Sequence, residues 1–284
     1  MAEYSNRNFQ LQSLFNVNNK VALVTGGGSG IGLMATQALA VNEEKLERVV
    51  ELYNKWIPGE IIPISADVTD KASVQKLVEE FSSKESYLDI LINNAGISTG
   101  RHDPEPQDSE KLRGSLFDTA EDVSDWDDIF RTNVSQLFFV TTAFLPLLQK
   151  ATEREYSWSS TVINITSISG IVKVSQHHFA YNASKAAAIH LTNMLAHEIM
   201  TSQQRIRVNH IAPGVFPSEM TANESDGKQK SYIPKAKYEQ TVPAARPGKE
   251  EYMASAILFA TTNQYMNGQS IVVDGGYVLA AGSL

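Results

Sequence analysis

Residues 21–39 read VALVTGGGSGIGLMATQAL, a short apolar run followed by a glycine-rich turn and then a helical pattern. Glycines let the backbone turn tightly and approach a phosphate closely, and the N-terminus of the following helix offers free N–H groups and a partial positive charge. An ordinary strand–helix turn is the alternative, but the strand before and the helix after favour nucleotide binding. We therefore predict that the turn binds a nucleotide through Gly26, Gly28, Ser29, Gly30, Ile31 and Gly32.

Short β-branched runs alternate with helical patterns along the rest of the chain. The strand candidates are residues 21–25, 61–66, 88–93, 161–166, 206–211 and 270–273. The helical candidates are residues 30–40, 43–56, 71–83, 122–149, 179–201 and 249–261. The strands are apolar almost throughout, which is typical of parallel strands covered on both faces. The alternation implies right-handed crossovers, so we predict an α/β fold with a doubly wound, Rossmann-like parallel sheet.

Length and composition restrict the class of protein. With 284 residues, 42% of them apolar, the chain is long enough for one α/β domain. It has no cysteine, which excludes disulfides, thiolate zinc sites and cysteine nucleophiles, and we predict no metal site. A net charge of −8 argues against nucleic-acid and anionic-membrane partners. The N-terminus has no apolar signal core and no apolar run reaches about 18 residues, so we expect a soluble, cytoplasmic protein.

Two segments break the alternation of strands and helices. Residues 97–118 are polar and rich in Pro, Asp and Glu, which predicts a long loop or a partly disordered flap. Residues 215–248 carry four prolines and follow a strand end, where either a lid over a site or a passive surface loop is expected. We predict an N-terminal extension at residues 1–19 and a single Rossmann-like catalytic domain at residues 20–284, with the lid at 215–248.

Three side chains are candidates for acid–base chemistry. Tyr181 and Lys185 are four residues apart and therefore lie on one face of a helix. A free tyrosine has a pKa of about 10, and a neighbouring ammonium would favour the phenolate. Ser167 follows a buried strand at its carboxyl end, where α/β folds place their ligands, and its hydroxyl is suited to polarising a carbonyl. A serine that only caps the strand is the alternative.

Several motifs follow one another in a diagnostic order. They are Thr25 to Gly32, Asn93-Asn94-Ala95-Gly96, Asn133, Ser167, Tyr181-x-x-x-Lys185 and Pro213-Gly214. In this order they resemble the single-domain type of short-chain dehydrogenases/reductases, from about residue 20 to residue 278. Within the family the chain is most similar to β-ketoacyl reductases and reductases of secondary metabolism. The resemblance implies an NAD(P)H-dependent oxidoreductase that interconverts a ketone or 3-oxoacyl-type carbonyl and a secondary alcohol.

The resemblance also implies a role for each matching residue. Tyr181 is the general acid in reduction and the base in oxidation, and Lys185 lowers its pKa and holds the nicotinamide ribose. Ser167 orients the carbonyl, and Asn133 positions a water that links Lys185 to solvent. Further cofactor contacts are expected from Asp67, Val68, Asn94, Ala95, Gly96, Pro213, Gly214 and Ser218. NADP(H) is the favoured cofactor, with NAD(H) as the alternative. His177, His178 and Trp126 match no catalytic position and are expected to be structural or surface residues.

One departure from the family concerns residues 39–50, LAVNEEKLERVV. The family has a second strand between the positions of Asn42 and Glu43, and that strand ends in the residue that reads the adenosine 2′ position. About ten residues are missing, judged by the spacing of such βαβ units. Residues 43–56 either project as a helix, lie across the bottom of the sheet or extend the first helix; otherwise the sequence lacks a segment. Ser29 also stands where NADP-dependent relatives often have a basic residue.

These departures leave a second reading of the function open. The leading interpretation is a carbonyl reductase with a small-molecule carbonyl or alcohol substrate. The alternative is a redox-inactive binding or scaffold protein, or a non-redox enzyme such as a cyclase or dehydratase, because the adenosine pocket is incomplete. The resemblance further implies a homodimer or homotetramer built through the helices at residues 122–149 and 179–201. Leu191, Leu195 and Ile199 recur on the second of these helices and would suit either an interface or the core.

Overall fold

Five parallel strands form one sheet at the centre of the molecule, as seen in a computed structural model. The structure describes residues 8–39, 60–98, 100, 102, 108–118, 121–222, 225–234, 236 and 238–283. The strands are β1 (Ala22–Thr25), β2 (Ile90–Asn93), β3 (Thr161–Ile165), β4 (Arg207–Pro213) and β5 (Ser270–Val273). They lie in the order β1-β2-β3-β4-β5, in register from Thr25 beside Asn93 to Ile165 beside Ile211. All carboxyl ends therefore meet at one edge of the sheet.

Helices connect the strands and cover both faces of the sheet. They are α1 (Leu11–Leu14), α2 (Gly30–Leu39), α3 (Lys71–Lys84), α4 (Ser109–Phe117), α5 (Val123–Phe130), α6 (Gln136–Arg154), α7 (Phe179–Thr201), α8 (Glu219–Ala222), α9 (Glu250–Thr262) and α10 (Tyr277–Ala281). A π-helical turn, Arg131–Ser135, joins α5 to α6, and a 3₁₀ turn, Ile168–Gly170, follows β3. In the described residues no helix is both long and apolar enough to cross a membrane.

Alternate residues of β1, β2, β3 and β4 enter two separate cores, whereas Ser270 and Val272 of β5 are exposed. Leu23 and Leu91 pack with side chains of α3, α6 and α7 on one face. Val24 and Ile92 pack with side chains of α2 and α9 on the other. Because both faces of β1 to β4 are buried, their apolar runs in the sequence are nearly continuous. This arrangement confirms the predicted doubly wound α/β fold.

The strand predicted at residues 61–66 is wrong. This segment forms no ladder with any strand of the described residues, although Ile61 is buried and Ile64 and Ala66 pack against the first core. Its apolar pattern indicates that the segment is buried. A strand also needs a neighbouring strand whose N–H and C=O groups pair with its own. In the described part of the chain β1 is the edge of the sheet. The predicted helix at 43–56 and the position expected for the second strand fall within residues 40–59, outside the described residues.

Two expectations about helices also need correction. Residues 97–118 are not a loop throughout, because they include α4, whose first turn is capped by a hydrogen bond from Lys111 N–H to Asp108 Oδ1 at 2.8 Å. The single helix expected at residues 122–149 is divided by the π-helical turn and continues to Arg154. Asn133, within that turn, makes tertiary contacts that are described below. The helices predicted at 71–83, 179–201 and 249–261 are confirmed with changes of at most one residue at each end.

The segment expected to be a lid leaves the sheet after β4. Its two ends meet where Gly248 N–H donates to the Val215 carbonyl oxygen at 2.8 Å. Phe216, Ile233 and Val242 are buried, so parts of the segment pack against the rest of the molecule. It also contains α8, which starts beside the glycine-rich turn at the end of β1. Closure over a ligand stays a prediction.

Candidate active site

The glycine-rich turn lets the backbones of β1 and α2 approach each other closely. Gly26 and Gly30 have φ angles of 63° and 50°, in the left-handed region that glycine adopts without strain. A Cβ on Gly32 would lie 2.0 Å from the Gly26 carbonyl oxygen, so only glycine fits there. The N-terminus of α2 therefore stands directly against the turn, and its free N–H groups face the carboxyl edge of the sheet.

The ends of β1 and β2 are tied together beside this turn. Nδ2 of Asn94 donates to the carbonyl oxygens of Thr25 and Gly26 at 3.1 and 3.0 Å. Oγ1 of Thr25 accepts hydrogen bonds from the backbone N–H groups of Asn94 and Ala95 at 3.0 and 3.1 Å. Asn94 thus holds the turn in place. Thr25 also holds the turn in place, although in the sequence it was recognised only as part of a motif.

The catalytic candidates meet between β3 and α7. Tyr181 hydrogen-bonds to Ser167, which stands at the carboxyl end of β3. Nζ of Lys185 donates to the Ile165 carbonyl oxygen at 3.1 Å and lies 5.6 Å from the centroid of the Tyr181 ring. A Cβ on Gly170 would lie 2.5 Å from the backbone carbonyl carbon of Lys185, so the turn after β3 packs on the bare backbone of α7. This close packing fixes the distance from Ser167 to the helix.

Burial sets the protonation of both groups on α7. Burial raises the pKa of the Tyr181 phenol, and the hydrogen bond from Ser167 opposes that rise. Burial lowers the pKa of the Lys185 ammonium to about 8. Near neutral pH the phenol is therefore protonated and the ammonium is still largely charged. The pair offers a proton beside a positive charge.

Asn133 sits in the π-helical turn and its side-chain amide is fully engaged. Nδ2 donates to the Ile97 carbonyl oxygen at 2.9 Å and to Oγ of Ser184 at 3.0 Å, and Oδ1 accepts from Ile97 N–H at 2.9 Å. A Cβ on Gly96 would lie 3.1 Å from this Oδ1 and 3.6 Å from Nζ of Lys185. Asn133 thus joins the end of β2 to α7 and lies close to Lys185. π-Helical turns in α-helices often occur at such functional positions.

One cavity of about 520 Å³ connects the glycine-rich turn with the catalytic candidates. Of the residues predicted from sequence, it is lined by Gly26, Ser29, Gly30, Ile31, Asp67, Val68, Asn94, Ala95, Gly96, Ser167, Tyr181, Lys185, Pro213, Gly214 and Ser218. Gly28, Gly32 and Asn133 are not among its lining residues. Gly32 and Asn133 instead hold the wall in place through the contacts given above.

The cavity wall also includes residues that were not predicted as catalytic or cofactor-binding residues. They are Ala66, Thr69, Ile97, Thr132, Ile165, Thr166, Phe216, Glu219, Met220 and Thr221. Glu219 is the most informative, because its Oε2 accepts a hydrogen bond from Oγ of Ser29 at 2.9 Å. The feature of the sequence that could have identified Glu219 is its acidic side chain directly after Ser218. A carboxylate at the glycine-rich turn occupies the position that suits a phosphate.

The far end of the cavity has a different charge. The carboxylate of Asp67 accepts hydrogen bonds from the side chain and backbone of Thr69 at 2.7 and 2.8 Å, and these lower its pKa. Among the described lining residues the only cation is Lys185, at the catalytic end. The cavity thus fits the phosphates and the reactive end of a dinucleotide, but its described residues offer no cation to a 2′-phosphate. No three metal-ligating side chains come together in the described ranges.

Comparison with known proteins agrees with this geometry. The family model described as short chain dehydrogenase matches residues 20–229. The short-chain dehydrogenase/reductase VdtF of Byssochlamys spectabilis is 33% identical over 302 residues, covering 94% of this chain and 95% of that protein. Because 302 residues exceed the 284 of this chain, the relative carries residues that this chain lacks.

Two further matches come from one bacterium. The rhamnolipids biosynthesis 3-oxoacyl-[acyl-carrier-protein] reductase of Pseudomonas aeruginosa is 33% identical, covering 93% of this chain and 98% of that protein. The solved Pseudomonas aeruginosa RhlG/NADP active-site complex matches with a TM-score of 0.75 and 31% identity, covering 93% of this chain and 98% of that one. The chain therefore belongs to the short-chain dehydrogenase/reductase family and is an oxidoreductase enzyme.

Proposed function

We propose that the enzyme uses NADP(H) to interconvert a ketone or 3-oxoacyl-type carbonyl and a secondary alcohol. The observation that carries this proposal is the single cavity that joins the glycine-rich turn to Ser167, Tyr181 and Lys185. Two relatives support the choice of cofactor and of carbonyl. One is a protein named as a 3-oxoacyl-[acyl-carrier-protein] reductase, and the other is a structure named as an NADP complex.

Each catalytic residue of the cavity has a separate role in reduction. The cofactor, when bound, supplies the hydride. The Ser167 hydroxyl orients the substrate carbonyl and stabilises the charge that develops on its oxygen. The Tyr181 phenol, kept neutral by burial, donates its proton to that oxygen. The nearby Lys185 ammonium stabilises the phenolate left behind, and in the direction of oxidation that phenolate is the base.

Proton resupply is proposed to run past Asn133. Its side-chain amide is engaged by Ile97 and Ser184, so its contribution is to hold the backbone of the π-helical turn beside Lys185. A water placed there would link the Lys185 ammonium to solvent. The 3.1 and 3.6 Å distances from a Cβ position at Gly96 to Asn133 and Lys185 support this role, because a side chain at Gly96 would fill that space.

The alternative of a redox-inactive binding protein rests on the adenosine end of the cavity alone. Residues 61–66 form no strand in the described sheet, so in the described residues no strand lies beyond β1 at the adenosine end. The retention of Asn133, Ser167, Tyr181 and Lys185 around one cavity favours the enzyme. We therefore keep reduction as the proposed function.

We further propose a homodimer or homotetramer formed through α6 and α7. Phe138 and Phe139 on α6 and Met194 on α7 are 44%, 38% and 50% exposed, an apolar surface that association would cover. Leu195 and Ile199, considered above for either role, lie in the core. Light scattering at micromolar protein is expected to give a multiple of the 31.2 kDa chain mass. A monomeric mass would contradict the proposal.

Two measurements test the proposed function. Titration of NADPH fluorescence with protein should give saturable binding, and a panel of ketones and 3-oxoacyl thioesters should include substrates that consume NADPH. Binding without turnover across the panel would favour a non-redox enzyme. Absence of binding would favour the scaffold.

A further inference from the structure

A buried pair of side chains lies beside the N-terminus of α7. Nε2 of His102 and Oε2 of Glu121 are 2.5 Å apart, and the two side chains are 8% and 12% exposed. The His102 ring meets the Phe179 ring edge-on, with 6.2 Å between their centroids. A cavity of about 780 Å³ next to the pair has mostly apolar walls, including Trp126. Because surroundings of low polarity strengthen such a contact, the pair fixes the chain at position 102.

The main chain around His102 holds the residues just ahead of α7. His102 N–H donates to the His177 carbonyl oxygen at 2.8 Å, and Nδ1 of His177 lies 3.2 Å from the His102 carbonyl oxygen. Nδ1 of His178 likewise lies 3.2 Å from the Gly100 carbonyl oxygen. With the ring protons on these two Nδ1 atoms, three hydrogen bonds join the two segments. Tyr181 follows three residues after His178.

The segment held in this way has an unfavourable backbone conformation. Gln176 and His177 have φ angles of 50° and 67°, in the left-handed region that residues other than glycine and asparagine rarely adopt. Such residues keep this conformation only when their surroundings enforce it. Oε1 of Gln176 accepts a hydrogen bond from Oγ of Ser169 at 2.6 Å, and Ser169 N–H donates to Oγ of Ser167 at 3.1 Å. The strained residues are thus linked to the catalytic serine.

We propose that His102 and Glu121 are positioning residues that clamp residues 172–178, and through them the relative placement of Ser167 and Tyr181. Neither side chain lines the cavity of the proposed reaction, so the pair acts through its neighbours. This inference rests on the proposed function for its catalytic consequence, and it gives His102 and Glu121 a role in the reaction. The clamp itself is a property of the free protein and needs no substrate to be measured.

The test compares four variants by amide hydrogen exchange. Glu121→Leu removes the acceptor, His102→Phe removes the donor but keeps the ring packing, and Glu121→Gln keeps an acceptor. Asp118→Asn is the control, because it removes an exposed ion pair with Arg113 in the same segment. We expect exchange at His102 and residues 172–178 to become about tenfold faster in Glu121→Leu and His102→Phe, with slow exchange kept in Glu121→Gln and Asp118→Asn.

Turnover provides the second readout. We expect kcat to fall about 10- to 100-fold in the two clamp-breaking variants while NADPH affinity stays within about twofold, because misplaced catalytic groups affect the reaction more than cofactor binding. If Glu121→Leu does not fold, His102→Phe carries the same comparison. Unchanged exchange at 172–178, or equally faster exchange over the whole protein, would overturn the clamp. If the parent reduces no ketone, the proposed function fails while the exchange result still decides whether the clamp exists.

Discussion

The two ends of the cofactor cavity differ in how completely their residues are held. At the catalytic end, Lys185 and Asn133 are buried and each has a hydrogen-bond partner on a neighbouring element. At the other end, Asp67 is exposed, and among the described residues its hydrogen bonds are local, to Thr69, Asp70 and Ser73, beside a segment that joins no strand of the described sheet. The described contacts that hold Lys185 and Asn133 come from Ile165, Ile97 and Ser184, and none of these residues belongs to β1 at the edge of the sheet. Cofactor affinity and selectivity are therefore expected to suffer more than the reaction itself.

The largest effect is expected at the catalytic end. Tyr181→Phe should lower kcat about 10²–10⁴-fold, the usual contribution of a general acid, and leave NADPH affinity unchanged, since it removes one hydroxyl. Single-turnover kinetics and calorimetry would measure the two quantities. Tyr265→Phe is the matched control because Tyr265 is fully exposed. Near-parent kcat in Tyr181→Phe would contradict the assignment of the proton donor.

The next effect concerns the adenosine end. Without one or two charge-assisted hydrogen bonds of about 1.5–3 kcal/mol each, cofactor should bind roughly ten- to a thousand-fold more weakly than in a complete site. The preference for NADPH over NADH should then be smaller than in a complete site. Inserting a ten-residue strand after Asn42 that ends in two arginines should restore tight NADPH binding through bidentate phosphate contacts.

Calorimetric titration with NADPH and with NADH measures the two affinities and tests this prediction. The control is the same insertion with two glutamines in place of the arginines, which should restore less NADPH affinity. Submicromolar affinity of the parent, with a strong preference for one cofactor, would mean that other residues supply the contact. The contrast between the two ends would then disappear.

A third prediction concerns His210, a buried histidine near the catalytic end that we expect to be uncharged in the folded protein. His210 is fully buried, its Nδ1 lies 2.9 Å from Oγ1 of Thr166, and burial lowers its pKa to about 4. The unfolded chain takes up this proton near pH 6.5 and the folded protein only near pH 4. Stability should therefore fall as the pH falls through this window, by about 2 kcal/mol between about pH 7 and pH 5.

Urea unfolding at both pH values would check this. His210→Gln keeps a polar side chain but cannot titrate, so its loss of stability between the two pH values should be smaller by the stated amount. Equal losses in parent and variant would mean that His210 is not kept neutral by the fold.

The smallest effect is expected at Glu219. Its carboxylate meets Ser29 at the turn where phosphates are expected, so it repels a bound pyrophosphate unless it moves away. Glu219→Gln should tighten NADPH binding about three- to tenfold, and more at low salt. Glu239→Gln, at an exposed position of the same segment, is the control. An unchanged or weaker affinity in Glu219→Gln would indicate that the carboxylate leaves the turn at no cost.

The sequence predicted those features that depend on local chemistry. Glycine spacing and the four-residue interval from Tyr181 to Lys185 act within one turn or one helix, and both were found where expected. The strand at 61–66 failed because a strand is defined by its neighbour, which an apolar pattern cannot report. The π-helical turn was missed for a similar reason, because the contacts of Asn133 with Ile97 and Ser184 join distant parts of the chain. The clamp between His102 and Glu121 is likewise invisible until the fold brings the two residues together.

The π-helical turn at Arg131–Ser135 also limits how the gene for this protein can vary. An α-helix advances about 100° per residue, so adding one residue in the turn would rotate all of α6 by that amount. The buried Val140 and Phe144 would leave the core, and the outward Phe138 and Phe139 would change direction. Substitutions on α6 can accumulate one at a time, whereas a one-codon insertion in this turn would disturb the core, the outer surface and Asn133 together.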